Sequence, residues 1–193
     1  MNRDFDIAVI GGGPVGATTA ALLARHSGIR PVRIALIAPE LAPAANGGRR
    51  AAADPIDASA PPELRVAAIS RASERVLENA GAWARLPRAR LCAYRGMRVW
   101  HQSVPADGPE VLAFSAAELG EPDLGHIVEN RALAAAGVGA FEAQGGTLLG
   151  ERLTGLGSDA DGTRLMTSSG EIAARLVVGA DGARSQVREF LGI

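Results

Sequence analysis

The sequence predicts an α/β fold: a parallel central sheet, a β-meander, and part of a second, smaller sheet. Three observations carry this. An apolar run, Phe5 to Ile10 (FDIAVI), meets three consecutive glycines, Gly11-Gly12-Gly13. An Ala/Leu-rich segment, Val15 to His26, leads into a second apolar run, Val32 to Ala38 (VRIALIA). From Thr147 onward, apolar stretches alternate with turn tetrapeptides.

Phe5–Ile10 is a short, β-branched, apolar run that ends in glycine, which suits a strand buried on both faces. Val15–His26 reads as a helix closed by Ser27-Gly28, and Val32–Ala38 as a second strand stopped by Pro39. Together they form a βαβ unit. Leu41 to Pro62 is Ala, Pro, Gly and Asp with hardly a large apolar residue, and predicts a surface loop. Ser70 to Ala80 predicts a helix, capped by Ser70 or Ser73 and ended by Gly81. MRVWH and VLAF, within Leu91–Phe114, predict two strands about a Pro/Gly turn. Ile127 to Gln144 predicts a helix, weakened by Gly137 and Gly139, each costing about 1 kcal/mol against Ala. TLLGERLTGL, TRLMT and IAARLVVGAD are then strands separated by the turns DADG and SSGE.

Composition narrows the function. Twenty basic and 21 acidic residues give the 193-residue chain a net charge of -1, without the basic excess of a nucleic-acid surface. Arg49-Arg50 and Arg85–Arg90 are small local clusters that read as solvated surface. The one cysteine, Cys92, excludes an internal disulfide, fits a reducing compartment, and is expected to be a small buried apolar residue. The start, with Asp4 and Asp6 in place of a basic stretch, does not read as a signal peptide. No stretch reaches the roughly 18 apolar residues of a membrane span. These features predict a cytoplasmic protein. Metal-ligand spacings such as C-x-x-C or H-E-x-x-H do not occur, so no metal is expected, and Trp83 and Trp100 are expected in the core.

Gly11, Gly13 and Gly16 satisfy G-x-G-x-x-G between a predicted strand and a predicted helix. The first permits the tight turn, the second lets a diphosphate approach bare backbone, and the third lets the helix pack on the strand. Pro14 and Val15 complete the turn, and the helix N-terminus offers unpaired N–H groups to phosphate. An acidic residue at the end of the second strand should hold the ribose. Strand register places Ala38 there, with Glu40 two residues on; Glu40, a main-chain group or a water fills the role. Near the other end, Leu176–Arg188 (LVVGADGARSQVR) is again a strand running into a turn, with Asp181-Gly182 at the junction. Read alone it is an ordinary strand-to-helix turn with Ser185 as the cap.

The two motifs together resemble the single-component FAD-dependent aromatic hydroxylases of the p-hydroxybenzoate hydroxylase type. Leu64–Trp83 (LRVAAISRASERVLENAGAW) and Leu124–Leu133 (LGHIVENRAL) narrow the resemblance to the ubiquinone-biosynthesis hydroxylases. The four blocks reach from Asp6 to Arg188. The resemblance implies FAD as cofactor and NAD(P)H as co-substrate. Asp181 and Gly182 would serve the FAD diphosphate and NAD(P)H, with Arg184, Ser185 and Arg188 supporting the turn. Arg65 would approach the FAD phosphates, while His126, Asn130 and Arg131 would pass near the flavin and its ribityl chain. By the same resemblance, residues 1–90 form the FAD-binding βαβ segment, 91–125 partial substrate-domain strands, and 126–193 a return to the FAD-binding domain.

The implied activity is hydroxylation of a polyprenyl phenol or benzoquinol with NAD(P)H and O₂. So greasy a substrate implies work at a membrane surface or in a biosynthetic complex; oligomeric state and catalytic residues stay open. A later Gly-Asp motif of the family is not found in these residues. The chain therefore reads as an N-terminal, truncated portion, expected to retain FAD weakly or not at all. The competing readings are another flavoprotein branch (a reductase or halogenase), an NAD-binding dehydrogenase, and a non-catalytic FAD-binding-like fragment. The flavoenzyme reading requires Gly13 and Asp181 to meet at one cleft.

Overall fold

A computed structural model describes residues 4–42, 61–159 and 162–193. The first unit is as expected: β1 (Phe5–Ile10), α1 (Pro14–His26) and β2 (Ile34–Ile37). β2 starts later than the apolar run because Pro31–Arg33 forms a 3-10 turn. Most of the predicted loop 41–62, with Arg49 and Arg50, lies outside the described residues. β3 (Val66–Ser70) then leads into α2 (Arg71–Ala80). Ser70 is the cap, accepting from the Ser73 N–H at 3.2 Å, and Gly81 ends the helix at φ 75°.

β4 (Cys92–Tyr94), β5 (Gly96–Val99) and β6 (Leu112–Ser115) follow. β5 and β6 pair antiparallel, putting Met97 opposite Phe114 and Val99 opposite Leu112 on one exposed apolar face. Two expectations are corrected here. Cys92 is exposed on β4, and Trp100, just past β5, is 47% exposed. Trp100 ends a two-stranded ribbon and Cys92 lies on an edge strand of its sheet, and neither has enough sheet around it to be buried.

The helix predicted from Ile127 is also corrected. Gly125–Glu129 is a strand, β7, and α3 is Asn130–Ala143. β7 is central to a three-stranded sheet, antiparallel to both β3 and β4. These distant partners, invisible to local periodicity, set its conformation. Arg90 Nη1 meets Glu129 Oε1 at 2.8 Å, both side chains being nearly fully buried, and fastens the β7–α3 junction. Gly137 in α3 has a packing reason: a Cβ there would lie 3.1 Å from the α1 backbone at Ala17 and Thr18. The glycine that weakens α3 locally lets the two helices touch.

The last segment holds β8 (Thr147–Leu149), β9 (Leu153–Asp159), β10 (Gly162–Thr167), β11 (Gly170–Gly179) and α4 (Gln186–Phe190). TLLGERLTGL is therefore two strands, not one. β8 pairs parallel with β2, whereas β9 pairs antiparallel with β10. The six-stranded sheet runs β8-β2-β1-β11-β10-β9, with β1 parallel to both neighbours. β1 and β2 are buried on both faces. Ile7, Val9, Ile34 and Leu36 join the core with α1 and α3, while Ala8, Ile10, Ala35 and Ile37 pack with Leu153 and Leu165 of the meander and Val187 of α4. α1 and α3 on one face, and the meander with α4 on the other, leave the carboxyl ends of β1, β2 and β11 open, where ligands of such sheets bind.

Candidate functional site

The first turn is built from backbone. The Gly11 N–H donates to the Ile37 carbonyl at 2.9 Å, so the turn hangs from the end of β2. Gly11 has φ 112°, and a Cβ there would collide with the Ala180 carbonyl and sit 2.9 Å from Asp181 Cα. A Cβ on Gly16 would run into the Gly11 carbonyl, so α1 packs directly on the end of β1. Gly13 differs. Its φ of -70° suits any residue, and a Cβ there would meet nothing within 4 Å. Its value is clearance. Pro14 starts the helix, no side chain caps α1, and no acidic residue lies in its first turn. The N–H groups there are available to an anion.

The second turn is built from side chains. The Ala180 N–H donates to the Ile10 carbonyl at 2.8 Å, bringing the end of β11 against Gly11. Asp181 Oδ1 accepts from Ser185 Oγ at 2.6 Å and Oδ2 from the Val187 N–H at 3.1 Å. Ser185 Oγ accepts in turn from the Arg188 N–H at 3.1 Å, and Arg188 Nη2 donates to the Ala183 carbonyl at 2.6 Å. Burial pushes the Asp181 carboxyl up, but the Ser185 hydroxyl and the backbone N–H groups of Val187, Asp181 and Gln186 outweigh it and hold the carboxyl below its usual value. Asp181 organises the turn with its charge turned onto hydrogen-bond donors.

Both turns open onto one cavity of about 620 Å³. Gly11, Gly13, Pro14 and Val15 line it from one side, Asp181, Gly182 and Arg184 from another, and Glu40 from the end of β2. The meeting of Gly13 with Asp181 required by the sequence argument is present. Glu40 stands over the glycine turn: a Cβ on Gly12 would lie 3.0 Å from Glu40 Oε1. Ala38, the register position for a ribose contact, is buried, so the acidic side chain that the end of β2 presents to the cavity is that of Glu40. A glycine with open space, an uncapped helix N-terminus and a carboxylate at the end of β2 fit the diphosphate and ribose of a dinucleotide.

Arg65, Asn130 and Arg131 are not among the residues lining this cavity. They cluster elsewhere: the Asn130 N–H donates to the Arg65 carbonyl at 3.0 Å, beyond the β3–β7 pairs, with Arg65 and Arg131 exposed. His126 lies within β7, its Nδ1 3.4 Å from Glu74 Oε2 and its ring edge-on to Trp83. The cavity also includes Glu151 and Arg152, which sequence reasoning passed over. Only the break between β8 and β9 brings them there, and no local signal marks it.

Residues 7–120 match the family described as the saccharopine dehydrogenase NADP binding domain. The chain belongs to this dinucleotide-binding family. That match takes in β1 through β6 but stops before β7 and the Asp181 turn. Other relatives extend over the whole chain. A 3-demethoxyubiquinol 3-hydroxylase of Escherichia coli (strain K12) is 36% identical over 195 residues, covering 100% of this chain and 45% of that protein. The ubiquinone hydroxylase UbiL of Rhodospirillum rubrum is 37% identical over 193 residues, covering 97% and 39%. The chain thus spans less than half the length of these relatives. Among solved structures, aklavinone-11 hydroxylase in complex with FAD and aklavinone superposes with a TM-score of 0.66 at 23% identity, covering 100% of this chain and 36% of that one. The α/β fold and the likeness to the ubiquinone hydroxylases agree with the sequence reading. The family match and the relatives share the βαβ unit and differ over the second turn, which only the relatives include.

Proposed function

We propose that the chain is the dinucleotide-cradling part of a flavin-dependent monooxygenase that hydroxylates a polyprenyl phenol or benzoquinol ring in ubiquinone biosynthesis, using NAD(P)H and O₂. The observation that carries this is the single cavity shared by the glycine turn and the Asp181 turn. The relatives matched across the whole of this chain are named as ubiquinone hydroxylases, which supports the substrate class.

In this reading Gly11 makes the turn, Gly13 leaves room for the diphosphate, and the α1 N-terminus faces it with Pro14, Val15 and Gly16 fixing the helix start. Glu40 accepts from the ribose hydroxyls. Asp181, with Ser185 behind it, holds Gly182 and Arg184 at the opposite wall. Asn130 and Arg131 serve the ribityl and flavin end, outside the cavity, and Arg65 reaches for the FAD phosphates from beside Asn130. When bound, FAD supplies the electron transfer from NAD(P)H to O₂ that puts one oxygen on the ring. Residues 1–90 and 126–193 form the cradle, and 91–125 give strands to a substrate-facing sheet. The exposed apolar face of β5 and β6 suits contact with a greasy substrate. Association with a membrane surface or a biosynthetic complex belongs to the same proposal.

A second reading, an NADP-binding reductase domain, is favoured by the family match over residues 7–120. Glu40 opposes it, since an acidic residue at this place suits a free ribose hydroxyl and repels a 2′-phosphate. Titration of the 193-residue chain with FAD, ADP and NADP⁺ separates the two. FAD and ADP are expected to bind, weakly and in competition, with NADP⁺ weaker than either. NADP⁺ binding tighter than FAD favours the second reading, and binding of neither ADP nor NADP⁺ sinks both.

A further inference from the structure

The short link between β8 and β9, residues 150–152, forms the rim of the cavity beside Glu40 and is built rather than loose. The Ala38 N–H donates to the Leu149 carbonyl at 3.0 Å, and a Cβ on Gly150 would strike the backbone of Ala42. The link therefore lies directly against the segment that carries Glu40. It is pinned from the other side by the β10–β11 turn. The Ser168 N–H donates to the Arg152 carbonyl at 2.9 Å, and the Arg152 N–H to Ser168 Oγ at 3.2 Å. Thr167 Oγ1 donates to the Glu151 carboxylate.

Both main-chain groups of Arg152 are thus occupied, while its guanidinium is exposed and has no partner among the described residues. Arg152 and Arg184 are the cations among the residues that line the cavity. Arg184 follows the Gly182 turn at the end of β11, whereas Arg152 is placed on the Glu40 side, where a ribose and its base would lie. A planar cation held at a fixed backbone position suits the face of a planar nucleobase.

We propose that Arg152 is the nucleobase clamp of the cleft, its guanidinium stacking on adenine while Glu40 takes the ribose. This rests on the dinucleotide reading, and adenine is common to FAD, ADP and NADP⁺, so it holds whichever of them is native. The test is calorimetric titration of the 193-residue chain with ADP and with inorganic diphosphate, using Arg152→Ala, Arg152→Gln and Arg152→Lys. Arg152→Ala and Arg152→Gln are expected to lower ADP affinity roughly 5- to 30-fold. Diphosphate affinity should stay unchanged, and Arg152→Lys should fail to restore ADP binding because it keeps the charge without the plane. An equal loss for diphosphate, full rescue by lysine, or no loss of ADP affinity each overturns the clamp. In those cases wild-type chain still binds ADP, so the dinucleotide reading survives; failure of the wild-type chain to bind ADP removes both. Because the link is pinned through main-chain atoms of Arg152, the variants should melt with the wild type.

Discussion

The two turns that meet at the cavity solve one problem with opposite materials. Gly11–Gly16 is shaped by what is missing: Cβ atoms at Gly11 and Gly16 would collide with the neighbouring backbone. The Asp181–Ser185 turn is shaped by what is present, a carboxylate and a hydroxyl that collect hydrogen bonds from Ser185, Val187 and Arg188. The first should be intolerant of any added atom and indifferent to pH. The second should lose strength by degrees and feel acid.

The largest effect is expected at the contact itself. Gly11→Ala forces a side chain into positive φ and against Ala180, and Gly16→Ala drives one into the Gly11 carbonyl. Each should cost about 3 kcal/mol in urea unfolding. A loss below 1 kcal/mol at both would show that the turns are not pressed together.

Asp181→Ala comes next, at about 1–3 kcal/mol, because it leaves the Val187 N–H and the Ser185 hydroxyl without their acceptor. The sign of its pH dependence follows from the lowered carboxyl. A carboxyl whose folded value lies below the unfolded 3.8 contributes stability above 3.8, and that contribution disappears as the pH falls through the folded value. Asp181→Asn should therefore flatten the acid limb of the stability curve, whereas Gly11→Ala, which keeps Asp181, should show an acid limb like the wild type's. An unchanged acid limb in Asp181→Asn would remove the charge from the account.

Ser185→Ala removes the cap of α4 and one donor to Asp181, and is expected to cost about 1 kcal/mol. The smallest stability change belongs to Gly13→Ala, within about 0.5 kcal/mol, since its φ is permissive and its Cβ enters open space. The same variant should weaken ADP at least tenfold, because that space is the ligand's. A stable Gly13→Ala chain that binds ADP like the wild type would separate the cavity from the nucleotide.

Much of this was legible in the residues. The β1–α1–β2 unit could be read because its turn chemistry is local: apolar run, glycines, proline at the helix start, second apolar run. Ser70 and Gly81 marked α2 for the same reason. β7 was not legible. Gly125–Glu129 is a strand only because β3 and β4 flank it, and its sequence runs straight into α3 without a break. Gly137 was misleading in isolation, since its use depends on a helix more than a hundred residues away in sequence. Cys92 and Trp100 were placed inside by residue type, whereas the narrow β5–β6 ribbon and the edge strand β4 leave them outside.

What the residues determined unaided is each turn's own chemistry: bare backbone at Gly11–Gly16, an acidic cap at Asp181–Ser185, and a carboxylate two places past the β2 register position. Tertiary structure decided that these share one cavity, that Arg152 joins them, and that Arg65, Asn130 and Arg131 do not. The reason is physical. A turn's conformation follows from φ, sterics and hydrogen bonds within a few residues. Its neighbours follow from which strands pair, and here β1 lies between β2 and β11, strands far apart in the chain.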